Sequence, residues 1–573
     1  MSGNIVNSLV QLCQSSGLEM NAHLVLEEKP TRQEQKFITL SKYVQKYPQG
    51  WKKRLELADL LYEMGNWQQA VSEYHQAIER QPQLLDVRLQ LGKILQLMRR
   101  EKEAIEVYEK AKSLSENEAT QHHINGLIAV CRGESQKAIV AFKLAANLEP
   151  DKVVHWLALA QVHQEIENPL GVLSALEHVL SINPDDVVAL IYSHDTLMAV
   201  GDIPAARGQL SRLITLAGDD FRVLQRQIER RCQMRLVSGK EGKLTKKMIT
   251  SLLQQTPHGA EAHKLLAYYY ILRGDWAQGV EVLAKFTAEH PHHPYGCYYY
   301  GRCLFETGEY QRAAQMMGKA YHLYPHDCEI YRGLCEILPV ATSPLAPLLG
   351  REGNFATSPL APLLGREGNF ATSPLAPLLG RERDGKWGMG DVVEEMLKRF
   401  PQRWSVWATA GRVLVECLKE IERGCQVSQE GTKLQPQLAD AWFCHGRVLA
   451  LAGKHREAVE AWEKGWEFLP VGGYLQSVPA AVWLGESYGV LGDVGASKRW
   501  WEAACEGCRE LREFNPAMAD YWLGRALLGL GDRLGAIQAY ESALSQQLLH
   551  PTRGEVEKVL RRLKGKGRKG FGD

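Results

Sequence analysis

Four short stretches combine residue types and spacings that can do chemistry. "CEGC" (Cys505–Cys508) has the spacing at which two thiols grip a zinc ion or exchange a disulfide. A zinc site needs two further ligands, and none stands nearby in the sequence. A redox pair opens a helix after a strand, whereas this pair lies inside a helical run, so a structural role is expected. "HPHHP" (His290–Pro294) could hold a metal, but it falls at a joint between two helical units and reads as a solvated turn. "GKGRKG" (Gly565–Gly570) spells GxGxxG inside a basic tail, with no strand before it and no helix after it to form a phosphate cradle. The motifs GxxxxGK[ST] and HExxH are absent from the sequence. No catalytic, cofactor-binding or metal-binding residue is expected, and the chain is read as a non-enzyme.

The fourth pattern is a recurrent Gly-Arg pair. It occurs as "GRCL" at Arg302, "GRVL" at Arg412 and again at Arg447, and "GRAL" at Arg525. A guanidinium is a fork of donors suited to carboxylate or phosphate. Aromatic side chains stand four residues earlier in three of these stretches: Tyr298, Phe443 and Tyr521. On a helix, residues four apart share a face. A ladder of arginines and aromatics would suit an acidic, partly apolar peptide, provided that the elements carrying it are equivalent; the alternative is that these arginines are solvated or pair with neighbouring glutamates, as Arg412 with Glu416.

Equivalence is supplied by a period of thirty-four residues. Counting from Trp51, small residues and turn formers fall at fixed places: Ala58 at the eighth, Gly65 at the fifteenth, Ala70 at the twentieth, Tyr74 at the twenty-fourth, Ala77 at the twenty-seventh and Pro82 at the thirty-second. The frame from Leu85 repeats this with Gly92, Ala104, Tyr108 and Ala111, and the frame from Ala119 with Gly126, Gly133, Ala138, Phe142, Ala145 and Pro150. Matches weaken through Val153 and Val187, then return at Ala260, Pro294, Trp404, Ala439, Val478 and Ala517. Each Gly-Arg pair occupies the eighth and ninth places of its frame. Small residues at the eighth and twentieth places let two helices approach closely, the aromatic fills the gap beside them, Gly eases the turn and Pro stops the second helix.

This pattern resembles the tetratricopeptide repeat, a pair of antiparallel helices. The resemblance implies an all-α fold, a right-handed α-solenoid of about twelve helix pairs stacked so that each buries its neighbour's apolar face. It also implies that the first helices line a concave groove holding a peptide or partner protein, and that the ninth place, commonly Asn in the family, faces that groove. The chaperone-tail clamp of some relatives needs Lys and Asn at set groove places, where the first frames here carry Leu55, Asp59, Leu89 and Lys93.

The organisation expected is N-terminal helices with a partial repeat over 1–50, repeats over 51–220, a degenerate repeat or hinge over 221–259 in which "GKEGKLTKK" reads as a widened loop, repeats over 260–340, and repeats over 386–550 before a basic tail at 551–573. Between the later arrays, 341–385 holds a low-complexity run in which "ATSPLAPLLGREGNF" occurs twice and then in part. It is expected to be a disordered Pro-rich insertion splitting one helix pair at its internal turn, its PLAP steps leaving a polyproline II ligand as the alternative. Lengthening such a turn from a few residues to about fifty costs only about 2 kcal/mol of closure entropy. The run resembles short repeats scattered through cyanobacterial proteins.

Composition narrows the function further. Lys plus Arg (68) nearly balance Asp plus Glu (67), so no global field draws nucleic acid or an anionic membrane. The tail from Arg553 to Lys569, with "RRLKGKGRKG", reads as a disordered solubilising end, contact with nucleic acid or acidic lipid being the alternative. Twelve cysteines are scattered rather than clustered, as reduced thiols of a cytoplasmic protein are. The start lacks a charged and then apolar leader, and no apolar run is long enough to span a bilayer. Ten of fourteen tryptophans lie at Trp387 or later, where core filling is expected of them. The leading reading is a scaffold or adaptor that binds a protein or peptide, with no nucleic acid, no membrane span and no cofactor. The competing reading is a substrate-docking or regulatory component of a glycosyltransferase or methyltransferase system.

Overall fold

The computed structural model describes residues 32–63, 66–257, 259–324, 327–341, 389–548 and 553–565. The Pro-rich repeat and the glycine-rich end of the tail lie outside the described residues. Every described element is helical. Among the described residues, thirteen antiparallel pairs run from Trp51–Glu63 with Trp67–Arg80 to Pro516–Gly529 with Arg533–Ser545, flanked by single helices Arg32–Lys46 and Arg553–Gly565. The last of these corrects the reading of the tail from Arg553 as disordered: Val556 and Leu560, one turn apart, are buried with Tyr540. The thirty-four-residue frame accounts for twelve of these pairs. The thirteenth is Phe221–Gln233 with Gly239–Gln255.

That last helix corrects the sequence reading of 239–247 as a loop. Its lysines at 240, 243, 246 and 247 are exposed, while Gly242, Thr245, Ile249 and Leu252 are buried at intervals of three and four. The apolar stripe is helical, but two of its members are a glycine and a threonine, so hydrophobic periodicity conceals it. Thr245 is satisfied in the core by donating to the Leu236 carbonyl at 2.6 Å.

The frame is visible in the backbone. The fifteenth place takes a left-handed conformation whatever its side chain, with φ of +71° at Gly133, +85° at Gly201, +54° at Glu167 and +58° at Arg235. The chain reverses there between the two helices of a pair, and glycine adopts this conformation without a Cβ clash. The eighth place is small because the twenty-fourth is large: a Cβ on Gly92 would stand 2.3 Å from the Tyr108 ring, and one on Gly446 would stand 2.4 Å from the Trp462 indole nitrogen. On either side of the insert, Ile330, Tyr331 and Leu334 of the helix Cys328–Ala341 share one buried cluster with Val392, Val393 and Met396 of Met389–Arg399.

One frame is distorted. The helix Trp404–Val413 continues into a π-helical turn, Leu414–Leu418, and the left-handed turn residue becomes Lys419 (φ +61°), one place late. The extra residue makes the next frame begin at Ala439, thirty-five residues after Trp404. Bulges of this kind hold an inserted residue without breaking the helix.

The described chain divides into two compact units, Met1–Val162 and His163–Asp573. The first contains a core from Leu40 and Val44 through Tyr74 and Tyr108 to Ile128. Within the second, fifteenth-place turns of early pairs meet late repeats. The Ser405 backbone N–H and hydroxyl donate to the Glu167 carboxylate at 3.0 and 2.7 Å, and Arg235 donates to the Gln546 carbonyl at 2.9 Å. A Cβ on Gly201 would stand 1.8 Å from the amide oxygen of Gln476, so the glutamine side chain packs directly on this turn.

Candidate functional site

The ninth place of successive first helices forms a row in the second unit: Asp195, Glu229, Tyr268, Arg302, Glu336, Arg412, Arg447, Glu486 and Arg525. Adjacent packed helices lie roughly 10 Å apart, a span that one arginine and one glutamate can bridge. The row therefore pairs internally. Arg302 bonds Glu336 of the next first helix. Arg525 reaches back to Glu486 of the preceding one, Nη2 donating to both carboxylate oxygens at 2.6 and 2.7 Å and Nε donating to one of them at 3.2 Å. Arg412 is held by Glu416, one helical turn on, at 3.2 Å. The four arginines thus do not stand as a uniform ladder of vacant forks: three have carboxylates of the protein itself. Burial pulls against their charged forms, and the neighbouring acids outweigh it, Glu336 for Arg302, Glu416 for Arg412 and Glu486 for Arg525.

Arg447 differs. It is exposed, it has no carboxylate partner among the described residues, and its guanidinium carbon lies 5.7 Å from the centre of the Trp483 ring. Trp483 stacks at 6.0 Å on the buried Trp462 and meets Trp522 edge-on at 5.8 Å. Trp522 in turn carries Arg525 at 5.0 Å. A layer of indoles thus supports two guanidinium groups, each such contact worth about 0.5–1 kcal/mol at an exposed site. Asp440 and Cys444 keep partial solvent contact, yet burial is the largest influence on each, pushing the carboxyl up to about 6 and the thiol up to about 11.

The three aromatics behave differently from one another. Phe443 is 3% exposed and belongs to the core, where its carbonyl accepts the Trp462 indole N–H at 3.0 Å; it is a packing residue, which corrects its expected place in the groove. Its ring lies on the glycine face of Gly465 in the second helix, so the one-turn spacing from Arg447 turns it inward. Tyr298 is half-buried, lies against Gly333 of the following pair, and burial pushes its hydroxyl up to about 12. Tyr521 is also half-buried, between Trp522 at 5.0 Å and Tyr540 at 6.1 Å.

Sequence reasoning missed the acids at the same ninth place, Glu336 and Glu486, although the frame that found the arginines locates them. It also missed Trp483, three residues before Glu486. In the first unit the row is Asp59, Lys93, Leu127 and Gln161, and Asp59 accepts the Tyr74 hydroxyl at 2.5 Å. Cys508 is buried and its thiol is pushed up to about 12 by burial, a packing environment rather than a reactive one. At the other histidine-rich stretch, His293 caps its helix by accepting the Gly296 N–H at 3.2 Å, and its ring faces Phe286 edge-on.

The family described as "Tetratricopeptide repeat" matches residues 55–119, across two frames of the first unit. The chain carries tetratricopeptide repeats. A second family match, described as "Anaphase-promoting complex, cyclosome, subunit 3", covers residues 247–320, so a repeat-like profile reaches back into the helix Gly239–Gln255. No curated protein matches the chain. Among solved structures, the human IFIT1 dimer with m7Gppp-AAAA is 13% identical, with a TM-score of 0.35 over 76% of this chain and 91% of that one. YrrB, described as a TPR protein with an unusual peptide-binding site, is 16% identical, with a TM-score of 0.21 over 33% and 97%. MamA is 21% identical, with a TM-score of 0.22 over 29% and 90%. Tetratricopeptide-repeat proteins generally mediate protein–protein interactions, and no helix among the described residues is long and apolar enough to cross a membrane.

Proposed function

We propose that this protein is a non-enzymatic, cytoplasmic scaffold whose second unit holds an acidic segment of a partner protein against the ninth-place row. The observation that carries the reading is Arg447, an exposed guanidinium over an indole with no acid of its own in a row whose other arginines are paired. An arginine lying on an aromatic face keeps its edge donors free for a carboxylate, and it is already oriented, so less side-chain freedom is lost on binding. Half-buried indoles beside it offer the apolar contact that a helix-bound or extended partner segment needs. The cytoplasmic address rests on composition, chiefly the scattered cysteines.

The test is recovery of partners by the full chain, compared with Arg447→Glu and with Arg302→Glu. Reversing Arg447 removes a charge-assisted bond and adds a repulsion, together about 1–3 kcal/mol, so recovery of acidic partners should fall at least tenfold. Arg302→Glu, whose native residue is occupied by Glu336, should leave those partners bound. Equal recovery by the wild-type and Arg447→Glu chains would reject the reading.

A further inference from the structure

Between the early and late repeats of the second unit lie three adjoining cavities. One of about 260 Å³ lies beside Tyr474 and Leu511, one of about 200 Å³ beside Met198 and Arg230, and one of about 280 Å³ beside Leu265 and Met518. Ile203, Arg207 and Phe514 line both the first and the second; Glu229 and Gln233 line both the second and the third. The cavities are therefore compartments of one seam, each large enough for one or two side chains.

The charges in the middle compartment do not balance. Asp195 is taken by Arg226, which grips both carboxylate oxygens. Glu229 faces Lys264 at 3.7 Å. Arg207 and Arg230 are left without an ion-pair partner among the described residues, and the buried Nε of Arg207 has no hydrogen-bond acceptor. Burial depresses the pKa of Arg230, and the charge of Arg207 depresses it further. Two crowded guanidinium groups in a recess cost stability, and a buried donor left unpaired costs about 1–3 kcal/mol. An anion placed between them would recover both costs. On the Tyr474 side, Glu510 and Glu513 line the first compartment without reaching ion-pair distance of Arg207, so a second acid is disfavoured there.

We propose that this seam binds an extended peptide, with the carboxylate of one acidic residue seated between Arg207 and Arg230. An apolar side chain on one flank enters the compartment of Leu265 and Met518. A neutral or basic residue on the other flank faces Glu510 and Glu513. The succession of separate small compartments selects a segmented occupant over a compact one, since each alone is below the ~300 Å³ typical of a small-molecule site. The proposal deepens the scaffold reading and rests on it, while using residues distinct from Arg447 and Trp483.

The test is selection of the full chain against a random heptapeptide display library, followed by sequencing. The expected result is enrichment of peptides with Asp or Glu next to an apolar residue. That enrichment should vanish in the double variant Arg207→Gln, Arg230→Gln and persist in Arg447→Glu. The double variant should melt no lower than the wild type, because it relieves like-charge crowding. Should it fail to fold, the wild-type chain still decides: replacing the acid of an enriched peptide by its amide should weaken binding at least tenfold. Acid-free enrichment, or an amide peptide that binds equally well, overturns the proposal. Enrichment lost in Arg447→Glu but kept in the double variant also overturns it and leaves the scaffold reading standing. Partner recovery that depends on Arg447, with no peptide enrichment at all, does the same.

Discussion

Replacing Gly446 by alanine tests whether the eighth and twenty-fourth places hold these helix pairs together. Gly446 sits mid-helix in Ala439–Leu451, where alanine favours the helix by about 1 kcal/mol. Its new methyl, however, would lie 2.4 Å from Trp462 Nε1 and 2.5 Å from Cδ1. Trp462 is 2% exposed and cannot swing into solvent. Overpacking of this kind costs about 1–3 kcal/mol, and displacing the indole N–H from the Phe443 carbonyl adds about 1–3 kcal/mol if it is left unpaired. The clash outweighs the propensity gain, and with the indole N–H unpaired the expected net loss is about 1–5 kcal/mol. Repeat arrays unfold locally, so the assay is urea titration by tryptophan fluorescence together with hydrogen exchange over 439–466. The companion variant Trp462→Phe frees volume and should absorb the alanine, so the double-mutant cycle should show a favourable coupling. A Gly446→Ala chain as stable as the wild type, or additive effects in the cycle, would refute the packing argument.

Three other outcomes are expected. Gly208→Ala, within Ile203–Ala217 where an added Cβ meets nothing within 4 Å, should stabilise by about 0.5–1 kcal/mol in the same titration. Lys419→Gly should stabilise by about 1 kcal/mol, because the left-handed turn at φ +61° strains any Cβ; an unchanged midpoint would mean that the Lys419 bond to the Glu416 carbonyl offsets the strain. Burial holds His445 at about 4, so between pH 6.5 and 4 the unfolded chain binds more protons than the folded one. Stability should be full above that window and fall through it as acid is added, by at most about 3 kcal/mol, and His445→Gln should flatten the dependence in calorimetry.

The repeat frame was legible where its places favour few residue types. A left-handed turn calls for glycine at Gly133 or Gly453, and an aromatic ring needs a missing Cβ opposite it. Where the physics is softer, the pattern thins. Arg99 and Arg235 take the same left-handed turn at a modest cost that packing covers, so no local signal marks them. The helix Gly239–Gln255 was hidden because its buried stripe contains Gly242 and Thr245. The inserted residue at Leu414–Leu418 leaves no compositional trace beyond a one-residue slip in the frame. At the candidate site, the arginines were found by type, but their state depends on neighbours thirty-four or thirty-nine residues away, Glu336 for Arg302 and Glu486 for Arg525. Phe443 and Arg447 share helical spacing, yet one is core and the other exposed, since a helix packed on several sides buries more than one stripe. The seam between early and late repeats arises from small rotations accumulated over many pairs, and no single repeat contains it.

The central claim is that recognition lies on the first-helix face around Arg447. Hydrogen exchange of the full chain, with and without a captured acidic partner, tests it most directly. The account predicts that added protection concentrates in Ala439–Leu451 and Tyr474–Val490, the helices that bear Arg447 and Trp483. Protection confined to the second helices His455–Trp466 and Val494–Arg512, or to the first unit, would contradict it.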